Sequence, residues 1–238
     1  MGAAGVFAYT DIILVPLSLF ITVGYHAYLW HNFKSNPFLT TVGYNVYKKK
    51  LLFQDLQQGD AKKGTLAVQS LRNSLMEIIL SATITIIMMV ALAALSNNSY
   101  NANSLFNRPT GDSATLFWGL HSGEIIVVKY GTAAILLLFS FICSSAALAN
   151  LIDANLLINS TLDMDEEELL RLCYGGSSIK SYTISMLERG FVMAVAGSRL
   201  LCIAFPLLLW MLSPVLVLLS SIGLVWGLHA LDFSQLIN

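Results

Sequence analysis

Charge is what this sequence has least of. Asp, Glu, Lys and Arg make up 11% of the 238 residues, against roughly 25% in a soluble domain, so a water-facing surface cannot be coated with charge. The few charges nearly cancel, at a formal net of −1, and the basic face that a nucleic-acid partner requires is missing. Cysteine is scarce as well. Cys143, Cys173 and Cys202 show no CxxC spacing, so a disulfide framework and a zinc site are both excluded, and these residues read as small apolar side chains. No GxSxG, P-loop glycine series or HExxH stands in the chain, so no enzyme template and no cofactor is indicated. The acidic run from Asp163 to Glu168 resembles a calcium loop only superficially: Glu168 occupies the sixth position, where the sharp turn needs glycine. No metal site is expected.

What the chain does have is apolar length. Hydrophobic residues make up 56% of it, and mean hydropathy is +0.69. Four uncharged or nearly uncharged runs, 6–30, 75–95, 132–152 and 200–231, each reach the ~20 residues that cross a ~30 Å hydrocarbon core. The expected fold is therefore all-α, an integral membrane bundle of four transmembrane helices in a single membrane domain. The stretches 31–74 and 153–199 form its larger loops. The last run, interrupted by Pro206 and Pro214, is read as one tilted, kinked helix; its rival is a hairpin turning near Ser213-Pro214. Gly223 and Gly227 lie in that run at GxxxG spacing, which allows close helix packing. The first span lacks a basic leader and reads as a retained signal anchor.

Basic residues orient the chain. The loops 31–74 and 153–199 carry most of the Lys and Arg, among them Lys48, Lys49, Lys50, Arg72 and Arg199. The positive-inside rule places both loops in the cytosol and the N-terminus outside or in a lumen, in a plasma or endomembrane. The glycosylation sequon at Asn97 then faces outward, close to a helix end, and the one at Asn159 faces the cytosol and stays silent. Pro37 ends the first helix. Beyond it, residues 40–56 mix Val42, Val46, Leu51 and Phe53 with lysines, an amphipathic helix whose Lys48, Lys49 and Lys50 lie near anionic inner-leaflet headgroups. In the loop 153–199, Thr161 or Asp163 can cap a short helix that Gly175-Gly176 stops, with a second helix following it.

Charges near spans are costly and need a reason, about 2.5–3.5 kcal/mol each at a bilayer centre. Asp11, Lys129 and Asp232 form an outer layer in the four-span reading; His26, Arg72, Glu77, Asp153 and Arg199 form an inner one. One reading pairs them as structural locks, Lys129 with Asp11 or Asp232, and Arg72 or Arg199 with Glu77 or Asp153. Arg72 lies ~140° around the helix from Glu77, which makes Arg199 the better partner for that carboxylate. The other reading makes Asp11, His26, Glu77, Lys129, Asp153 and Arg199 parts of a polar pathway. His26 and His31 stand at the inner interface, apart from His121 and His229, so the histidines do not converge in that topology.

Several local patterns are similar to a known family. They are Tyr25-His26 with Pro37, Thr40, Gly43 and Asn45; the stretch from Val68 to Met76; Lys129-Tyr130; the stretch from Ala204 to Trp210; and Leu231-Asp232-Phe233. Over nearly the whole chain these resemble the plant membrane proteins of the domain-of-unknown-function 599 family. The resemblance implies a four-span membrane protein of plant type and no reaction. It departs at Glu77-Ile78-Ile79, where relatives carry small residues, so no role for Glu77 follows from it.

Functionally, the sequence favours a small channel or transporter, or a subunit of one, for an ion or small polar solute. Four spans leave little interior in one chain, so a homo-oligomer or a partner membrane protein is expected. The alternative is a non-catalytic scaffold or regulatory subunit working through its cytosolic loops. An enzyme using Asp153, Glu77 and His26 ranks last.

Overall fold

The structure, a computed structural model, describes residues 3–55, 61–105, 123–163, 178–211 and 213–233. Among them are six α-helices, one 3-10 turn and no strand: α1 (Ala3–Ser35), the 3-10 turn (Pro37–Leu39), α2 (Thr41–Asp55), α3 (Ala61–Leu105), α4 (Gly123–Asp163), α5 (Ser178–Leu209) and α6 (Pro214–Asp232). Five segments are long and apolar enough to cross a membrane: Ile13–Ser35, Thr65–Asn97, Val127–Asn159, Ser181–Leu209 and Pro214–Asp232.

The expected count of four is corrected to five at the C-terminal end. The chain breaks at Trp210–Ser213, where the Ser213 side chain accepts a hydrogen bond from the Val215 N–H and Pro214 opens α6, a position where its missing N–H costs nothing. The first arm of this hairpin starts at Ser178 rather than at residue 200. The second half of the expected cytosolic loop 153–199 is therefore helix and span, with Glu188, Arg189 and Arg199 inside it. The other expected helices of that loop, residues 164–177, lie outside the described residues, and α4 runs unbroken through Thr161 to Asp163. An odd number of spans puts the two flanks of the membrane domain on opposite faces. Protease-protected tags before α1 and after α6 are expected to report opposite sides, and same-side protection would restore the four-span count.

A helix is present over the expected stretch 40–56, as α2; the side chains of Lys49, Lys50, Leu51 and Phe53, on which its expected amphipathic character rests, lie outside the described residues. Asn36 leaves the helical region ahead of Pro37, and Thr40 caps the new helix by accepting from the Gly43 N–H at 3.2 Å. The segment expected to run from 65 into the second span does so within α3, which at ~1.5 Å per residue is longer than a ~30 Å hydrocarbon core.

In space the spans neighbour one another in the order α3, α4, α5, α6, α1, with α2 set against α3, α5 and α6. The seam between α4 and α5 is the tightest. Small residues recur along it: Ser140, Ser144, Ala147 and Ala154 on α4, with Leu151 in the same three- and four-residue series, and Gly190, Ala194 and Gly197 on α5. That spacing keeps one face of each helix on its partner. A Cβ on Gly197 would stand 2.6 Å from Ser144 Oγ, and one on Gly190 would stand 2.8 Å from Leu151. The Ser140 hydroxyl donates across the seam to the Gly197 carbonyl at 2.7 Å. At Gly223 and Gly227 an added Cβ meets nothing within 4 Å. The close packing expected of that pair falls instead on Gly190 and Gly197.

Two apolar clusters fill the interior. One joins Ala67, Leu71 and Ile78 to Leu151, Leu187 and Phe191; the other joins Leu92 to Ala133, Leu137, Ala204 and Leu207. Outside them, Phe20, Ile87, Val90, Leu156, Leu219 and Trp226 are exposed. A soluble surface seldom tolerates so much apolar area, whereas acyl chains cover it without cost.

Candidate functional site

Beside the first cluster, bordered by its Ile78 and Phe191, lies a polar cavity of about 420 Å³. Ser74, Glu77 and Ser81 reach it from α3 at steps of three and four residues, which one helix face presents together. Ser144 comes from α4, Ser198 and Arg199 from α5, and Asn45 from α2. α2, the helix of the first loop, thus forms one wall. Among the described residues Glu77 makes no ion pair and no hydrogen bond. The lock expected between Glu77 and Arg199 is absent, although both groups line the same space.

Arg199 is held elsewhere. Its guanidinium grips Asp232 through both carboxylate oxygens, Nη1 to Oδ2 at 2.8 Å and Nη2 to Oδ1 at 2.5 Å. Asp232 is almost wholly buried, its side chain 4% exposed, and the Arg199 side chain is 17% exposed. The Tyr25 hydroxyl donates to Oδ2 at 2.7 Å, so one carboxylate ties α1, α5 and α6 together. Placing Asp232 in an outer layer beside Lys129 followed from the single last span; the hairpin turns that helix end over and brings it to Arg199. The fork-to-fork geometry and the third donor explain how three polar groups share the interior.

His26 stands beside this triad, edge-on to Tyr25 with ring centroids 5.5 Å apart. Its Nδ1 lies 2.7 Å from the Thr22 carbonyl. A carbonyl only accepts, so Nδ1 carries the proton and Nε2 is left as an acceptor, buried and without a partner. The hairpin also brings His229 to the layer of Tyr25, at 6.5 Å between centroids, and against Phe233 at 4.9 Å. A second, apolar cavity of about 280 Å³ adjoins, lined by His26, Trp30, Phe33, Val192 and Ile203, and Arg199 borders this one too.

The remaining candidates do not converge on the site. Lys129 is buried, with its ammonium 5.2 Å from the centre of the Trp210 ring, a cation–π contact at the other end of the spans. Arg72 and Asp153 are exposed and line neither cavity. Asp11 belongs to α1, but its side chain, like those of Lys49 and Lys50, lies outside the described residues; Lys48 is exposed. No group of three metal-binding side chains occurs among the described residues. Sequence reasoning missed Ser74, Ser81, Ser144 and Ser198. Ser74 and Ser81 at a seven-residue step, with Glu77 between them, carried a signal, since a polar stripe on an apolar helix marks a face turned from lipid.

The family model described as a protein of unknown function, DUF599, matches residues 13–236, from the start of the first span to beyond α6. This chain belongs to that family. The match covers every span of this DUF599 protein, the triad and the polar cavity, so the site lies within the family's domain and not in an appended segment. It carries no reaction and gives no support to a plant origin. No curated protein and no solved structure matches the chain.

Proposed function

We propose that this protein is a small channel or transporter, or a subunit of one, for an ion or small polar solute. The observation that supports it is the polar cavity among the spans, with an unpaired carboxylate at Glu77. Burying polar groups in a membrane is costly unless they pair or line water. Here the strongest charge pair is committed to holding three helices, whereas Glu77 is exposed and lines the cavity unpaired. The apolar cluster around Leu92, Leu137 and Leu207 contributes no residue to the cavity lining, so passage across the bundle requires a rearrangement or an interface with a second copy. A homo-oligomer supplies such an interface, in keeping with the small interior of one chain. The positive-inside rule puts α2 and its lysines at the cytosolic leaflet, near anionic lipids, and the N-terminus outside.

Purified protein in liposomes is expected to move a radiolabelled ion or small polar solute above protein-free vesicles. Filling the cavity with Ser198→Leu is expected to reduce the rate, checked for an unchanged chromatographic profile. Vesicles that move no ion, proton or polar solute would overturn the transport reading. The scaffold reading has one observation behind it, the amphipathic α2 with its exposed Lys48, and predicts a stoichiometric membrane partner in its place.

A further inference from the structure

The polar cavity has a chemical sign. Ser74 Oγ donates to the Ser70 carbonyl at 3.1 Å and Ser198 Oγ to the Val195 carbonyl at 2.9 Å. Their protons are used within their own helices, and what they have left for the cavity is lone pairs. Ser81 Oγ is buried without a partner. Glu77 adds a carboxylate that no cation among the described residues neutralises. Against these acceptors, Arg199 is the one cation in the lining, and it is already paired with Asp232, which takes two of its five N–H donors. Asp232 lies outside the lining but neutralises Arg199 as a pair, so the charge left uncompensated at the cavity is that of Glu77.

From this we infer that the cavity takes a small monovalent cation, an alkali ion or a primary ammonium, with the Glu77 carboxylate as counter-charge and the serine oxygens as ligands. A calcium ion needs six to eight oxygens and is served by several carboxylates, and a magnesium ion demands a near-octahedral set; one carboxylate among hydroxyls matches one positive charge. An anion would meet the uncompensated Glu77 carboxylate. This inference names the solute class of the transport reading, yet its test does not depend on flux.

The full chain in lipid nanodiscs is to be heated in rubidium, methylammonium, magnesium or N-methylglucamine chloride at equal ionic strength. Rubidium or methylammonium is expected to raise the unfolding midpoint in a saturable way, and the difference between those two separates the alkali from the ammonium source. In Glu77→Gln the apparent affinity is expected to fall by about tenfold or more, as loss of a charge-assisted contact implies. Glu77→Asp is expected to retain part of it, and Ser81→Ala to weaken it less. Stabilisation by magnesium alone, by chloride irrespective of cation, or by no salt at all overturns the inference, as does an unchanged response in Glu77→Gln. Flux of a neutral solute or anion without cation binding overturns it while leaving transport standing. Cation binding without any flux keeps the site and overturns transport.

Discussion

Asp232→Ala is expected to destabilise the protein by ~3–5 kcal/mol, the range for breaking a buried ion pair by removing one partner. The reason is the charge left behind. Without the carboxylate the Arg199 guanidinium, mostly buried, keeps its charge among apolar helices, and the Tyr25 hydroxyl loses its acceptor. Unfolding in detergent, followed by circular dichroism or a thiol-reactive dye, reads the loss. The converse discriminates the mechanism. Replacing both partners with apolar side chains, Arg199→Met with Asp232→Leu, is expected to recover most of the stability, because desolvating the pair costs nearly what its attraction returns. Tyr25→Phe removes one hydrogen bond to a charged group and is expected to cost ~1.5–3 kcal/mol. If Asp232→Ala melts where the parent does, the triad does not hold α1, α5 and α6 together.

The second large effect is steric. Gly197→Leu is expected to cost ~3 kcal/mol or more, at or beyond the upper end of ordinary overpacking. A first carbon at Gly197 already meets Ser144 Oγ at 2.6 Å and backbone atoms Ser140 O and Ser144 N at 3.2 Å. A side chain can rotate away; the α4 backbone cannot, so the two helices must separate and the Ser140 bond to the Gly197 carbonyl is lost with them. Gly190→Ala is expected to be milder, since the obstacle there is the Leu151 side chain. Gly190→Ala combined with Leu151→Ala is expected to lose less than the two separate effects summed, which a double-mutant cycle measures. Gly223→Leu, with open space around its Cβ position, serves as the control and is expected to leave the monomer's stability unchanged.

The parts of this fold legible in the sequence are those written in short stretches of chain. Apolar runs long enough to cross a bilayer show in any window of twenty residues. The stop at Pro37 and the capped, amphipathic α2 follow from adjacent residues. The fourth span was harder to see because Glu188, Arg189 and Arg199 stand inside it, and hydropathy charges Arg199 its full cost. That cost is relieved by Asp232, which lies 33 residues further along, and by nothing near Arg199 in the chain. Once the single last helix was assumed, Asp232 went to the wrong end of the molecule and Glu77 became the plausible partner for Arg199. Glu77 and Arg199 do come to the same cavity, so the reading had the neighbourhood right and the bond wrong.

By itself, then, the sequence determined that the chain lives in a membrane and crosses it as helices. In hydrocarbon each backbone donor and acceptor must be satisfied within the segment, and that requirement acts residue by residue. Which helices touch was decided by tertiary structure alone. Lipid tails are as apolar as the side chains they replace, so apolar pattern does not sort one helix face against another; close steric fit and polar pairing do. Tyr25 finds Asp232 across 207 residues, and Gly197 finds Ser144 because no other side chain would fit between their helices. The same packing brought Glu77 to a cavity with no ion-pair partner among the described residues, a consequence of how five helices fit together and not of any local run of residues.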